Sequence, residues 1–398
     1  MASLCEDELL HIFSFLPTKS ICKFQSLCKS LHHEIHGARF RMNHAQNISL
    51  KDDTYIFIQP RIFFNNFDKD ELFHLLSPLS PSSPAGEEES NFHEQLPRNF
   101  LQFLKKVKIL ASSNGLILCQ SNSNKELCLC NPITQTWLPI TTPSTLPESP
   151  FHEANIFFKC MNNKGLDYLD DYLIILIEGT PEWGQHVIIK LYSSKEGIWR
   201  RMENDFFVGP MNMRLDNSVY LQEKLFLISN SPSVFKKGSH YLPLYIMAYD
   251  FAAGGESTTV NLPEDTLEAS LDWNCDLRIF EWGKEKNLDH SLCLVRYMKG
   301  CFTIWILIDS KSSKWKRILE IKVEEIGLKE ENPNVQGFRI VNGNCLVFVT
   351  GRKVYGYYCF NDQSCWRLKE ICEHKWDNIR INLISYSPTL RPCGNNMT

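Results

Sequence analysis

Residues 127–137 read LCLCNPITQTW: an apolar run, an asparagine, a short polar turn and then a tryptophan. An asparagine in this place favours a turn, because its side chain can accept hydrogen bonds from the backbone that follows it. The apolar run and the segment after the turn therefore predict the two strands of a β-hairpin. The large apolar area of Trp137 on the return strand suits burial between layers of sheet.

The same pattern recurs along the chain. Three further copies run from a strand to an Asx or Ser and on to a tryptophan: Val187–Tyr192 with Ser193 and Trp199, Phe302–Ile308 with Asp309 and Trp315, and Val354–Phe360 with Asn361 and Trp366. A degenerate copy, Tyr245–Tyr249 with Asp250, has Val260 in place of the tryptophan. Successive copies are roughly 50 to 60 residues apart, which suits one four-stranded propeller blade with a long loop.

The ends of the β region predict how such a ring would close. Five copies are visible, and a sixth, divergent blade can be built from Tyr55–Phe64 and the C-terminal strand Ile379–Tyr386. Pairing the two ends would leave no exposed sheet edge. We therefore expect a β-propeller-like domain of about six blades. Five or seven blades and a pair of β-sandwiches are the alternatives.

The first 45 residues predict a small all-α domain. Ser3 and Glu6 form a Ser-x-x-Glu capping-box pattern, Pro17 ends the first helix, and Thr18 can cap the next one. Apolar residues then recur at helical spacing in two stripes: Leu9, Ile12, Phe13 and Leu16, followed by Ile21, Phe24, Cys28, Leu31 and Ile35.

The size of this helical segment raises a question about its partner. About 40 residues seldom bury enough apolar area to fold alone without metals, disulfides or another protein. The stripes therefore either pack on the rest of the chain or are completed by a second protein, and both interpretations stand. The predicted fold class is mainly β with a small all-α N-terminal domain: helices in residues 1–45, the β-propeller-like domain in 46–390 and a flexible tail in 391–398.

Composition and charge exclude several classes of protein. The 398 residues contain 42 Lys and Arg against 46 Asp and Glu, so a net charge of −4 gives no global reason to bind nucleic acid. The 15 cysteines include no CxxC pair, which indicates reduced thiols rather than a disulfide scaffold. Glu6, Asp7 and Glu8 stand where a signal peptide needs basic residues. No apolar run approaches the ~20 residues that span a bilayer, so we expect no membrane partner and a cytoplasmic and/or nuclear protein.

Catalytic and cofactor motifs are missing from the sequence. It has no GxSxG, no Gly-rich phosphate loop and no HExxH, so we expect no catalytic residues and no cofactor. His32 and His36 stand one helical turn apart and could share a metal, but no further ligands lie nearby in the sequence, so no metal site is predicted. A propeller enzyme would need convergent carboxylates or metal ligands at one mouth of the ring.

The helical segment resembles an F-box, and the whole arrangement resembles a plant-type F-box protein with an F-box-associated or kelch-like C-terminal domain. The matching residues are Leu4, Glu6-Asp7-Glu8-Leu9-Leu10, Ile12-Phe13, Phe15-Leu16-Pro17, Lys19-Ser20-Ile21, Phe24, Leu27-Cys28-Lys29-Ser30, Ile35 and Phe40. Downstream, Ala111–Ile117 followed by Cys130–Trp137 resembles the "NGL … NP-T--W" signature of the same family. Two positions depart from the family pattern: Cys5 replaces the usual Pro, and Leu31 replaces a Trp.

The resemblance implies the substrate-recognition subunit of an SCF (Skp–cullin–F-box) ubiquitin ligase, with no catalysis of its own. The F-box would bind a Skp-family adaptor and through it the cullin, and the propeller would hold a substrate protein that the sequence does not identify. By analogy with the family, the adaptor-facing residues would be Leu4, Leu9, Ile12, Leu16, Pro17, Leu27, Cys28 and Leu31. The alternative is a non-ligase β-propeller interaction scaffold whose N-terminal helices only cap the ring.

The substrate-facing residues of the propeller are expected in loops at one mouth of the ring, because rigid blades commonly position variable loops. The candidates there are Trp183, Trp273 and Trp282, each of which suits the core equally well.

Overall fold

The computed structural model describes residues 5–48, 54–60, 74–76, 104, 107–121, 126–141, 143, 154–161, 172–179, 185–230, 244–266, 275–283, 290–328, 330, 333–360, 365–374, 376 and 379–394. Within these ranges four α-helices are followed by 24 β-strands. The predicted fold class, a small helical domain followed by a mainly β domain, is confirmed.

The helical domain consists of α1 Glu6–Phe13, α2 Thr18–Phe24, α3 Lys29–His36 and α4 Ala38–Ile48. The capping prediction was wrong by two residues, because the N-cap of α1 is Cys5, whose backbone N–H donates to the Glu8 carboxylate over 2.9 Å. Thr18 does not cap α2 either. Its hydroxyl donates instead to the backbone oxygen of Pro388 at 2.7 Å, so it is used in a contact with the β domain.

The first strands and the last one form a three-stranded sheet in the order β2-β1-β24. Its strands are β1 Tyr55–Pro60, β2 His74–Leu76 and β24 Ile381–Tyr386. Strands β1 and β24 are antiparallel, and their register runs from Tyr55 opposite Tyr386 to Pro60 opposite Ile381. This pairing of the two ends of the β region is the one that the sequence predicts.

The remaining strands form five antiparallel sheets in chain order, which we call blades 1 to 5. Blade 1 contains β3 Val107–Ser113, β4 Leu116–Ser121, β5 Leu127–Asn131 and β6 Thr136–Ile140; blade 2 contains β7 Ala154–Cys160, β8 Tyr172–Gly179, β9 His186–Ser193, β10 Ile198–Arg201 and β11 Phe206–Phe207. Blade 3 contains β12 Asn212–Leu221, β13 Lys224–Asn230, β14 Tyr245–Asp250 and β15 Glu256–Asn261. Blade 4 contains β16 Asp276–Trp282, β17 Ser291–Met298, β18 Cys301–Asp309 and β19 Lys314–Lys322; blade 5 contains β20 Gly337–Val341, β21 Cys345–Val349, β22 Lys353–Phe360 and β23 Cys365–Glu373.

The blades form a closed ring. Their innermost strands β3, β7, β12, β16, β20 and β24 touch in succession, and β24 touches β3 again. Six apolar clusters each span two neighbouring sheets, including one between blade 5 and the β1–β24 sheet and one between that sheet and blade 1. Five blades and a sixth, three-stranded sheet therefore make a β-propeller, and the β-sandwich alternative is wrong.

The repeated Asx turns have the predicted chemistry. Oδ1 of Asn131 accepts the backbone N–H of Ile133 at 2.9 Å, and the Asp250 and Asp309 side chains accept N–H groups in the corresponding turns. Two of the repeat tryptophans lie between layers as predicted: Trp199 packs against the cluster between blades 1 and 2, and Trp315 packs against the cluster between blades 3 and 4. Trp137 differs, since it is 39% exposed. Each of two indoles donates to the preceding blade: Trp199 to the Thr141 oxygen at 2.5 Å and Trp315 to the Asn261 oxygen at 2.8 Å.

The segment that follows β24 packs on the rest of the protein. The Asn131 amide donates to the backbone oxygens of Thr389 and Arg391, at 3.0 and 2.6 Å. Arg391 is fully buried and donates to the Met161 oxygen, and Cys393 lies in the cluster between blades 1 and 2. The prediction of a flexible tail is therefore wrong for residues 391–394, because their polar groups bond loops of the first two blades. Residues 395–398 lie outside the described residues.

Candidate functional site

The inner side of the helical domain is closed by the β domain. Ile21, Ile35 and Phe40 form a buried cluster with Leu390 from the C-terminal segment, and Ile133 of the first Asx turn packs against it. The helical domain and the β domain therefore share a core, and α4 continues to Ile48, past the predicted boundary at residue 45. The helical residues that flank this cluster are Leu10, Phe13, Leu16, Phe24 and Leu31.

A buried histidine joins the two domains by hydrogen bonds. His44 is fully buried, and its Nδ1 accepts the backbone N–H of Leu390 at 3.5 Å. With Nδ1 acting as the acceptor, Nε2 carries the proton and donates to the Leu16 oxygen at 3.1 Å. Together with the Thr18–Pro388 bond, these contacts fix the helical domain on the propeller.

The outer side of the helical domain leaves large apolar side chains in contact with solvent. Ile12 is 48% exposed, Phe15 38% and Leu27 66%. Helices α1 and α2 are packed together beside these residues, because Phe13 stacks on Phe24 with 4.8 Å between ring centroids. Scattered single apolar residues are ordinary on a surface, but three in a domain of this size provide apolar area that a partner could bury.

The structure divides the predicted adaptor-facing residues into three groups. Ile12, Leu27 and Cys28 are exposed, with Cys28 at the N-cap of α3, and Leu9 and Pro17 are partly exposed. Leu16 and Leu31 belong instead to the flank of the Ile21 cluster, so their first role is in the core. Leu4 lies outside the described residues. The assignment of these residues to an adaptor stays a prediction.

Phe15 is an exposed residue that the set of adaptor-facing residues missed. It follows the end of α1, where helical periodicity no longer predicts which side a residue faces. Its ring meets His11 edge-on with centroids 5.1 Å apart. The only sequence signal for Phe15 was its place in the F-box match beside Leu16 and Pro17.

The substrate-facing candidates are only partly located. Trp282 ends β16 and packs against the cluster between blades 4 and 5, so its environment is the core. Trp183 and Trp273 lie outside the described residues. Over the described ranges, no group of three or more His, Cys, Asp or Glu side chains is arranged to hold a metal ion. In the same part of the chain, no helix is long and apolar enough to cross a membrane.

The structure thus defines a small helical domain with an exposed apolar surface, fixed to a closed β-propeller. The F-box domain model matches residues 1–42, and the model of the F-box protein At3g26010-like beta-propeller matches residues 93–333. The second match covers more than half of the chain, which therefore belongs to the family of F-box proteins with an At3g26010-like beta-propeller.

A similar curated protein is the F-box protein CPR1 of Arabidopsis thaliana. It is 22% identical to this chain over 345 residues, which cover 81% of this chain and 74% of that protein. This similarity extends beyond the helical segment into the β domain.

Similar solved structures are more distant. A nidogen/laminin complex has a TM-score of 0.37 at 10% identity, covering 84% of this chain and 99% of that one. A protein from Lactobacillus plantarum has a TM-score of 0.39 at 8% identity, covering 81% and 82%. With TM-scores this low, neither likeness contributes to the assignment of fold or function.

Proposed function

We propose that this protein is the substrate-recognition subunit of an SCF ubiquitin ligase. The observation that carries the proposal is the exposed surface around Ile12, Phe15 and Leu27 on a helical domain whose inner side is already closed. Because the domain does not need these side chains for its own core, they remain available to a Skp-family adaptor. Burying each of them would contribute on the order of 1 kcal/mol to binding.

The chain's contribution to ubiquitination is positional. The adaptor connects the helical domain to the cullin, and the propeller holds a substrate protein. Thr18, His44 and Leu390 fix the two domains on each other, so a bound substrate keeps a defined position relative to the adaptor. Such a fixed geometry raises the effective concentration of the substrate at a ubiquitin-charged enzyme bound elsewhere in the complex. The chain itself takes no part in bond chemistry, and we infer that it works in the cytoplasm and/or the nucleus.

One observation favours a second function, that of a non-ligase scaffold. Leu390 and Ile133 complete the core of the helices, which is the contact expected of helices that cap the ring. The two functions differ in the role of the outer surface of the helices. A ligase subunit needs this surface to bind an adaptor, whereas helices that only cap the ring need no partner on it.

Co-purification of the intact chain with a Skp-family adaptor tests the proposal. We expect the wild type to bind, and Ile12→Asp and Leu27→Asp to bind at least about ten-fold more weakly because each places a charge in an apolar interface. Ile308→Asp is the matched control, since Ile308 is 56% exposed on β18 of blade 4 and should bind like the wild type. If the intact chain does not bind while a known F-box protein binds in parallel, the ligase function is wrong and the scaffold function stands.

A further inference from the structure

The centre of the propeller contains an open, polar cavity of about 690 Å³. All six innermost strands contribute to its wall, and its ionisable lining residues are Lys159, Asp216, Glu281, His290 and Arg339. A volume of this size lies within the range of small-molecule sites in proteins, which is about 300–1,000 Å³. The helical domain contributes no residue to this wall.

Three arginines stand on successive inner strands beside this cavity. Each donates to a backbone oxygen of the next inner strand: Arg214 to Leu277 at 2.8 Å, Arg278 to Phe338 at 3.3 Å and Arg339 to Leu383 at 3.2 Å. The third arginine also lines the cavity. These bonds join blade 3 to blade 4, blade 4 to blade 5, and blade 5 to the β1–β24 sheet.

The negative charges that balance these arginines are unevenly placed. The Asp276 carboxylate lies 2.6 Å from Arg214 and 2.8 Å from Arg278, and Asp216 lies 3.5 Å from Arg214. Arg339 forms no salt bridge to any described residue, and its buried Nε has no hydrogen-bond partner there. Burial lowers the pKa of Arg339, and the charge of Arg278 lowers it further.

A second cation on the cavity wall has no carboxylate partner among the described residues. Nζ of Lys159, on β7, donates to the backbone oxygen of Tyr220 at 3.3 Å and lies 5.5 Å from the centre of the Tyr220 ring. Each of the two acids of the wall has another basic residue beside it: Asp216 lies 3.5 Å from Arg214, and Glu281 lies 2.7 Å from Nδ1 of His290. Lys159 and Arg339 are therefore the charges of the wall that an anion would balance.

We propose that the central cavity binds a small molecule carrying a carboxylate or phosphate group, with Arg339 and Lys159 holding the anionic group. Serine hydroxyl groups of the wall, such as those of Ser113 and Ser385, would bond the polar remainder of the molecule. This binding does not depend on the ligase function, because the cavity and the exposed helical surface share no residue.

Calorimetric titration of the intact chain tests the proposal with two probes, citrate and inorganic pyrophosphate, at constant ionic strength. We expect at least one of them to bind saturably with one site per chain, while chloride and glycerol do not. Binding of citrate alone identifies a carboxylate ligand, and binding of pyrophosphate alone a phosphate ligand. If neither anion binds, the proposal is wrong.

Substitutions locate the binding site. Arg339→Gln should weaken the binding roughly ten-fold or more, and Lys159→Gln should weaken it in the same direction. Asp216→Asn should strengthen binding, because it removes a negative charge from the wall. Arg200→Gln is the control: Arg200 is exposed on the outer strand β10 beside Glu196, and its loss should change nothing.

Equal binding by the wild type and Arg339→Gln would place the anion elsewhere and overturn the proposal. If Arg339→Gln does not fold, Lys159→Gln and Asp216→Asn provide the test. An anion affinity unchanged in both variants would also overturn the proposal. Ile12→Asp should bind the anion like the wild type, so failure of the adaptor experiment and failure of this one are distinguishable.

Discussion

At the scale of single residues, Asp276 shows how the ring holds its buried charges. Its carboxylate lies between Arg214 of blade 3 and Arg278 of its own strand β16. Burial alone would raise the pKa of Asp276, but the charges of Arg278 and Arg214 outweigh it and lower the pKa to about 2. The ionised form of Asp276 therefore stabilises the contact between blades 3 and 4.

We expect Asp276→Asn to lower the free energy of unfolding by about 2 kcal/mol at pH 7, because it leaves two guanidinium groups without their shared carboxylate. A depressed pKa gives stability that is present above the unfolded-state pKa of about 3.9 and is lost as the pH falls towards 2. The difference between wild type and variant should thus stay constant from pH 7 to about 5 and shrink below about 4. Urea unfolding across this pH range measures it.

Asp265→Asn is the control for this substitution. Asp265 pairs with Arg317 at 3.7 Å, and both side chains are more than half exposed. Its loss should therefore change the stability by less than about 0.5 kcal/mol. A pH-independent effect of Asp276→Asn, or one as small as that of Asp265→Asn, would contradict the assigned pairing.

Trp315 illustrates what a repeat pattern leaves open at the residue scale. The pattern predicts the turn at Asp309 and the return strand, because both follow from local chemistry within a few residues. The partner of the indole is the backbone oxygen of Asn261 in the preceding blade, and only the packing of whole blades brings the two groups together.

Trp315→Phe should therefore destabilise the protein by about 1 kcal/mol, since it removes this hydrogen bond but keeps an aromatic ring at the position. Thermal unfolding measures the change. Trp282→Phe is the comparison, as none of the described hydrogen bonds uses its indole. An equal loss of stability in Trp282→Phe would show that the smaller buried apolar area, and not the hydrogen bond, is responsible.

At the scale of elements, the segment that follows β24 determines how the two domains are joined. Its sequence, Ser387-Pro388-Thr389-Leu390-Arg391, has no helix or strand periodicity. Its backbone oxygens and Leu390 nevertheless find partners in α2, α4 and blade 1. These partners are more than 200 residues away in the sequence, so the local patterns that predicted the strands could not predict these contacts.

We expect Leu390→Ala to loosen the helical domain while the propeller stays folded. Leu390 is 3% exposed and belongs to the helical core, so its truncation should cost on the order of 2 kcal/mol. Amide hydrogen exchange should rise in α1 to α3 and remain unchanged in the inner strands of the blades. Ile308→Ala, at an exposed position on β18, should leave the exchange unchanged in both the helices and the blades. A uniform rise in exchange over all blades after Leu390→Ala would contradict a local role for Leu390.

At the scale of the whole molecule, the ring closes without the helices. The inner strands β3, β7, β12, β16, β20 and β24 complete the circle, and the six clusters between sheets contain no residue of α1 to α4. The helical domain shares only its own cluster with the propeller, through Leu390 and Ile133. The strands predicted at the two ends of the β region indicated this closure, because pairing them leaves no exposed sheet edge.

A chain that begins at residue 54 should therefore keep a folded propeller and lose adaptor binding. Removing the helices exposes Leu390 and Ile133 and breaks the bonds of Thr18 and His44, so we expect the melting temperature to fall by a few degrees only. Circular dichroism measures the retained β structure, and co-purification with a Skp-family adaptor measures the lost binding. Full-length Leu390→Ala is the matched comparison, because it weakens the same contact while keeping the adaptor-facing residues. Loss of the β signal in the shortened chain would show that the helices are an integral cap of the ring, and would favour the scaffold function over the ligase subunit.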